Sequence, residues 1–246
     1  MPNPIRTAIE RIRSRIKRRQ ILGNCVDWTL ISQIADKKLT YLSHLKMASI
    51  ANTCRDIERR GLSGAFIEAG CALGGSSILI GSLKSAHRSL KVYDVFGLIP
   101  APTEEDPDDV QQRYETIITG QSAGINGDKY YGYEEDLLDK VKANFAAFGL
   151  NLEARNIHLI EGLLQETMHV DSAVAFAHVD VDWYDPVKTC LERLYPRLIV
   201  GGSIILDDYH DWGGCRKAVD EFLRTIVGKA RIDDSAGSLK ITKISP

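Results

Sequence analysis

From Ala65 onward the apolar residues of this chain switch repeatedly between two spacings. Runs rich in β-branched and aromatic side chains at 65–69, 90–96, 157–160, 174–181 and 202–206 read as buried strands. Between them, residues 76–87, 134–148, 186–195 and 214–227 read as helices, with Leu138, Val141, Phe145 and Phe148 making one apolar face. This alternation predicts an α/β fold, a doubly wound and mostly parallel sheet with helices on both faces. Residues 231–233 and 238–244 read as short closing strands, the second polar at alternate positions, as an edge hairpin is.

Two helical stretches precede the first strand. Asn3-Pro4 can cap a helix in which Ile5, Ile9, Ile12 and Ile16 form an apolar stripe, surrounded by Arg6, Arg11, Arg13, Arg15, Lys17, Arg18 and Arg19. Isoleucine alone is a weak membrane anchor, so this basic helix is expected to dock on its own domain or to join subunits of a homo-oligomer. Residues 40–60 continue helically, with Leu42, Leu45, Ile50, Cys54 and Ile57 near one face and Gly61 as the stop. The expected organisation is an N-terminal helical extension at 1–60 and one domain at 61–246. Within that domain, 97–133 breaks the rhythm with Pro100, Pro102, Pro107 and an acidic run of Glu104, Glu105, Asp106, Asp108 and Asp109. A connection of that length is expected to be a lid-like insertion. Tyr130, Tyr131 and Tyr133 near its end could stack on a ring-shaped substrate or pack the turn.

Acidic residues end two of the strand-like runs. His178-Val179-Asp180-Val181-Asp182 closes one, and Ile204-Ile205-Leu206-Asp207-Asp208 closes another. The carboxyl ends of strands are where open α/β sheets place ligands, and adjacent strands lie only about 4.8 Å apart. Carboxylates gathered there repel one another unless a cation or shared protons occupy the cluster. Asp182 would share Asp180's side of the strand if the extended geometry persists. His178 and His210 flank the acids and are rival bases, ranked below Asp182. Taken alone, Asp207-Asp208 reads as a helix cap, but two acidic strand ends beside a glycine-rich turn favour a site.

That turn is Glu68-Ala69-Gly70-Cys71-Ala72-Leu73-Gly74-Gly75-Ser76, between the first strand and the first helix of the sheet. A dinucleotide fingerprint needs glycine where Ala72 stands, and a phosphate loop needs lysine where Ser76 stands. An acid at Glu68 suits a ligand with cationic or donor groups and would repel a pyrophosphate. S-adenosylmethionine has an ammonium, a sulfonium and no phosphate, and Asp94 at the end of the second strand is placed to accept from ribose hydroxyls. A purely structural glycine turn, permitting close helix packing, is the alternative.

The 246 residues are 44% hydrophobic with a formal net charge of -2, enough for a full core and too balanced for a dedicated nucleic-acid binder. No transmembrane run or secretory signal is evident, so a cytoplasmic location is the default expectation. The five cysteines form no CxxC pair and are expected to be reduced thiols without zinc.

Glu68-Ala69-Gly70 with Gly74-Gly75-Ser76, Tyr93-Asp94-Val95-Phe96-Gly97-Leu98, Asp180-Val181-Asp182-Trp183-Tyr184, Tyr195-Pro196, Gly201-Gly202 and Asp207-Asp208-Tyr209 together resemble the macrocin-type sugar O-methyltransferase family. The resemblance covers roughly residues 40 to 225, and the paired acidic motifs are its most specific part. It implies a class I methyltransferase fold, a seven-stranded sheet with a reversed last strand, together with S-adenosylmethionine and Mg²⁺. It implies further that Asp180, Asp207 and Asp208 hold the metal and that Asp182 is the general base. Glu68, Gly70, Ser76, Asp94, Glu161 and Gly162 would surround the cofactor. The expected activity is methylation of a hydroxyl on a sugar or glycosylated natural product. A catechol-type O-methyltransferase acting on a planar diol, a non-catalytic nucleoside-binding domain and a nicotinamide-dependent oxidoreductase are the competing readings. Glu68-Ala69-Gly70 departs from the family's common Glu-Thr-Gly, and the Pro-Asp segment from Ile99 makes the acceptor hard to transfer.

Overall fold

The computed structural model describes residues 15–246, and at its centre lies a strand buried at every position, β1 (Ala65–Ala69). β4 (Val174–Val179), also buried throughout, pairs parallel with β1 on one side, and β2 (Leu90–Asp94) pairs parallel on the other. Such near-continuous apolar runs mark strands covered on both faces. β3 (Ile157–Glu161) extends the sheet beyond β2, and β5 (Leu198–Leu206) extends it beyond β4, both parallel. The chain ends with β6 (Ala230–Asp233) and β7 (Leu239–Lys243), and β7 inserts antiparallel between β5 and β6. The order is β3-β2-β1-β4-β5-β7-β6, the mostly parallel sheet expected from the alternation, with the seven strands and reversed last strand that the family resemblance implies.

Strand alternation divides the core in two. Phe66, Val92, Phe176 and Ile205 pack on α1 (Trp28–Asp36), α2 (His44–Arg59), α3 (Gly75–Leu83) and α5 (Leu137–Ala147). Ile67, Ala69, Val179 and Ile204 pack on α7 (Tyr184–Leu194) and α8 (Gly213–Thr225). A short helix, α6 (Leu164–Thr167), follows β3. Each fully buried Ile or Phe in these layers contributes about 1.5–3 kcal/mol.

The helices before residue 60 share the first of these clusters, through Ile31, Ile34, Met47 and Ile50. The loop between α1 and α2 meets the glycine turn, where the Gly75 N–H donates to Leu39 O at 3.0 Å. Residues 15–24 are helical, and Ile16 is exposed. Arg18 Nε donates to Ser235 O at 3.1 Å, and Lys17 pairs with Asp233 at 3.3 Å. Asn3-Pro4 and Ile5, Ile9 and Ile12 of the expected basic helix lie outside the described residues.

Two helices depart from the sequence reading. α1 was not anticipated, and the 97–133 connection contains α4 (Asp108–Ile118). Only Val110 and Ile117 of α4 are buried, so its apolar stripe is too sparse to register as periodic. Among the described residues, no helix is long and apolar enough to cross a membrane. All five cysteines are buried and free.

Candidate functional site

The strand order turns back between β1 and β4, the crevice where doubly wound sheets bind ligands. Gly70 closes β1 with φ +80°, and its N–H donates to Tyr93 O at 2.8 Å. A Cβ at Gly70 would stand 1.9 Å from Asp180 O, so only glycine lets the turn after β1 abut the first acid after β4. The Asp180 N–H reaches back to Ala69 O at 2.9 Å. The glycine turn and the acidic strand end therefore form one joint.

At that joint the structure brings Asp180, Asp207 and Asp208 together, with one carboxylate oxygen from each within 4.8 Å of the others. Lys46 of α2 donates to Asp207 Oδ2 and to Asp211 Oδ2, both at 2.9 Å. Asp207 Oδ1 is buried without a partner, and so is His178 Nε2, which stands 4.0 Å away. Burial raises the Asp180 carboxyl well above its ordinary value, and the Asp207 charge adds to this. Burial likewise raises Asp208, with Asp182 next in effect. Burial pushes Asp207 upward too, but His178 and Lys46 outweigh it and hold that carboxyl low. A cluster so destabilised in its ionised form, with an orphaned acceptor inside it, suits a positive ion.

Asp182 does not follow the strand. β4 ends at Val179, and Asp182 adopts φ +56°, so the extended geometry on which its expected side depended is absent. A turn places it instead. Its N–H donates to Asp208 Oδ2 at 3.0 Å, and its carbonyl accepts from the Cys215 N–H at 3.1 Å. Burial raises its carboxyl to about 6, against the lowering effects of the Asp208 hydrogen bond and the Arg113 charge. Asp180 and Asp182 both line a cavity of about 330 Å³. That volume lies at the lower end of the usual range for small-molecule sites.

The expected cofactor residues divide. Gly70, Asp94 and Gly162 line the cavity, whereas Glu68, Ser76 and Glu161 are not part of its wall. Glu68 is fully buried within β1, away from that wall. It accepts from Ser77 Oγ and meets His178 Nδ1 at 2.9 Å. Register explains this: Glu68 and His178 are cross-strand partners on one face of β1 and β4. Burial opposes the charged His178 ring, but Asp207 and Glu68 outweigh it and raise the ring to about 10. Ser76 is buried in the first turn of α3, and Glu161 is exposed. Asp94 accepts from the N–H groups of Cys71 at 2.7 Å, Ala72 at 3.3 Å and Phe96 at 2.8 Å. A carboxylate has about four acceptor positions, so about one remains for a ligand hydroxyl. His210 is exposed, 3.8 Å from Asp234.

Of the aromatic candidates, Trp183 and Tyr131 face the cavity, while the Tyr184 hydroxyl turns to Glu221 at 2.6 Å. Tyr133 pins the end of α4, donating to Ile117 O at 2.6 Å. Ile99, Pro100, Pro102 and Asp106 of the insertion also contribute to the wall. Sequence reasoning missed Lys46 and Asp106. Nothing local marks Lys46, whereas Asp106 stood in the acidic run as a visible signal.

Comparisons with known proteins bear on this arrangement. Residues 23–234 match the family model described as Macrocin-O-methyltransferase (TylF). The demethyldecarbamoylnovobiocin O-methyltransferase of Streptomyces niveus is 25% identical over 193 residues, covering 74% of this chain and 67% of that protein. The 8-demethyl-8-(2,3-dimethoxy-alpha-L-rhamnosyl)-tetracenomycin-C 4'-O-methyltransferase of Streptomyces olivaceus is 28% identical over 169 residues, covering 66% of this chain and 59% of that protein. Among solved structures, the O-methyltransferase NovP shares the fold with a TM-score of 0.70 at 22% identity, covering 85% of this chain and 83% of that one.

Proposed function

The chain belongs to the macrocin O-methyltransferase family, and we propose that it transfers the methyl group of S-adenosylmethionine to a hydroxyl of a sugar or glycosylated natural product, with Mg²⁺ at Asp180, Asp207 and Asp208. The observation that carries this reading is the convergence of those three carboxylates within 4.8 Å, where the glycine turn abuts Asp180. Oxygen donors alone suit a hard divalent ion, which accepts a few carboxylates and leaves positions for other oxygens. The orphaned Asp207 Oδ1 is the acceptor such an ion would satisfy. The rhamnosyl group in the name of the Streptomyces olivaceus relative supports a glycosidic acceptor.

When bound, S-adenosylmethionine supplies an electrophilic methyl group and the cation lowers the pKa of the acceptor hydroxyl. The protein's own side chains do the rest. Asp182, on the cavity wall with its N–H held by Asp208, takes the hydroxyl proton as general base. Asp94 holds the turn after β1 through the N–H groups of Cys71 and Ala72 and the segment after β2 through that of Phe96, keeping the donor side rigid. Ile99, Pro100, Pro102 and Trp183 form an apolar wall that excludes water from the acceptor side. Orientation of donor and acceptor then supplies much of the acceleration.

Labelled methyl transfer to methyl α-L-rhamnopyranoside, a rhamnosylated polyketide and catechol, with and without chelator, tests the reading. Glycoside methylation that chelator abolishes is expected. Asp182→Asn should lower turnover about 10²- to 10⁴-fold while S-adenosylhomocysteine still binds. Chelator-insensitive transfer removes the metal, preference for catechol moves the substrate class, and cofactor binding without S-adenosylhomocysteine release reduces the chain to a binding domain.

A further inference from the structure

The acidic run at 104–109 is not idle loop charge. Helix α7 begins at Tyr184 behind Trp183, whose side chain makes no cap, and an uncapped first turn leaves N–H groups without partners. The missing acceptor comes from the insertion: Asp106 Oδ1 accepts the Tyr184 N–H at 2.7 Å. Its other oxygen accepts the Thr103 N–H at 3.0 Å. The Asp106 residue is 6% exposed and forms part of the cavity wall. Gly214 makes the room, since a Cβ there would lie 2.1 Å from Asp106 Oδ1. Beside it, Trp183 Nε1 donates to Pro100 O at 3.0 Å.

Both residues that follow Asp182 are thus held by the insertion. Asp182 itself has φ +56°, a conformation that a residue other than glycine keeps only where its surroundings impose it. We propose that Asp106 is a positioning residue for Asp182, through which the lid-like segment on the acceptor side sets the turn that aims the base. This rests on the reading of Asp182 as the base. Glu105 and Asp109 tether the segment elsewhere, to Lys217 at 2.6 Å and to the Gly213 N–H at 2.9 Å, without touching the Asp182 turn.

The test compares Asp106→Ala, Asp106→Asn, Asp106→Ser and Glu105→Ala in the full chain. Amide hydrogen exchange over residues 180–186 needs no acceptor, and turnover of methyl α-L-rhamnopyranoside gives the catalytic readout. Asp106→Ala should speed exchange at 182–184 about tenfold or more, with S-adenosylhomocysteine affinity unchanged. It should also lower kcat about 10- to 100-fold, the effect of a base displaced by about 1 Å. Asp106→Asn still offers an oxygen to the Tyr184 N–H and should recover most of both losses. Glu105→Ala should match the wild type. Wild-type exchange at 182–184 in Asp106→Ala, or an equal rise in Glu105→Ala, overturns the proposal. If Asp106→Ala does not fold, Asp106→Ser, which shortens the side chain that reaches the Tyr184 N–H, decides by the same exchange, and wild-type protection there overturns it equally. Full turnover in Asp182→Asn would sink the base assignment instead, a result separable from the exchange measurement.

Discussion

Replacing Gly70 with alanine tests how the two halves of the site are joined. The added Cβ would stand 1.9 Å from Asp180 O and 2.8 Å from its carbonyl carbon, closer than non-bonded atoms approach. The backbone there has φ +80°, a left-handed conformation that costs an L-residue about 1–2 kcal/mol. Forcing the Asp180 carbonyl away disturbs the 2.9 Å bond from the Asp180 N–H to Ala69 O, and overpacking of this kind adds about 1–3 kcal/mol. Together these give a loss of about 2–5 kcal/mol. For a chain of this size the loss lowers Tm by about 4–20 °C. Urea unfolding measures the stability, and Mn²⁺ calorimetry measures whether Asp180 has left its neighbours, with affinity expected to fall about tenfold or more. A Gly70→Ala protein with the wild-type midpoint and wild-type Mn²⁺ affinity would refute the claim that this glycine locks the turn against the acid.

Glu68→Gln should leave S-adenosylhomocysteine affinity within about threefold while costing about 1–3 kcal/mol of stability, because the side chain is buried outside the cavity wall. A tenfold loss of affinity, about 1.4 kcal/mol, would return Glu68 to the cofactor site. Lys46→Met removes the cation paired with Asp207 at 2.9 Å and should cost about 1–3 kcal/mol in urea melts, part of it restored by Mn²⁺. A loss indifferent to Mn²⁺ would contradict a ligand role for Asp207. Burial lowers Lys84 to about 8, against 10.5 in the unfolded chain. Between those values the unfolded chain binds the extra proton, so this residue's destabilisation is full below pH 8 and fades as pH rises toward 10.5. Lys84→Met should flatten that rise in urea melts at about pH 7.5 and 9.5, and an unchanged slope would exclude Lys84 as its source.

The strands were readable because buried parallel strands leave continuous apolar runs, and β1 at Ala65–Ala69 coincides with its predicted range. The three acids that meet were readable for a related reason, since each follows such a run on one of two adjacent strands. Other features depend on register and tertiary contact. Glu68 looked like a ligand contact by its place in the glycine motif. Its partner His178 lies opposite it across β1 and β4, and only the register reveals that pairing. Asp182 reached the cavity by a left-handed turn rather than by strand alternation, which no periodicity encodes. Lys46 lies 161 positions from Asp207, so nothing local announced their contact. Helix α4 did carry signals, Pro107 before its start and Asp108 and Asp109 in its first turn, but two buried side chains make no stripe.

Metal-assisted transfer at this site stands or falls with a divalent ion held by Asp180, Asp207 and Asp208. Anomalous scattering from crystals soaked with Mn²⁺ and S-adenosylhomocysteine locates that ion directly. A single strong peak within reach of all three carboxylates is expected. A peak elsewhere, or none at saturating Mn²⁺, would contradict it.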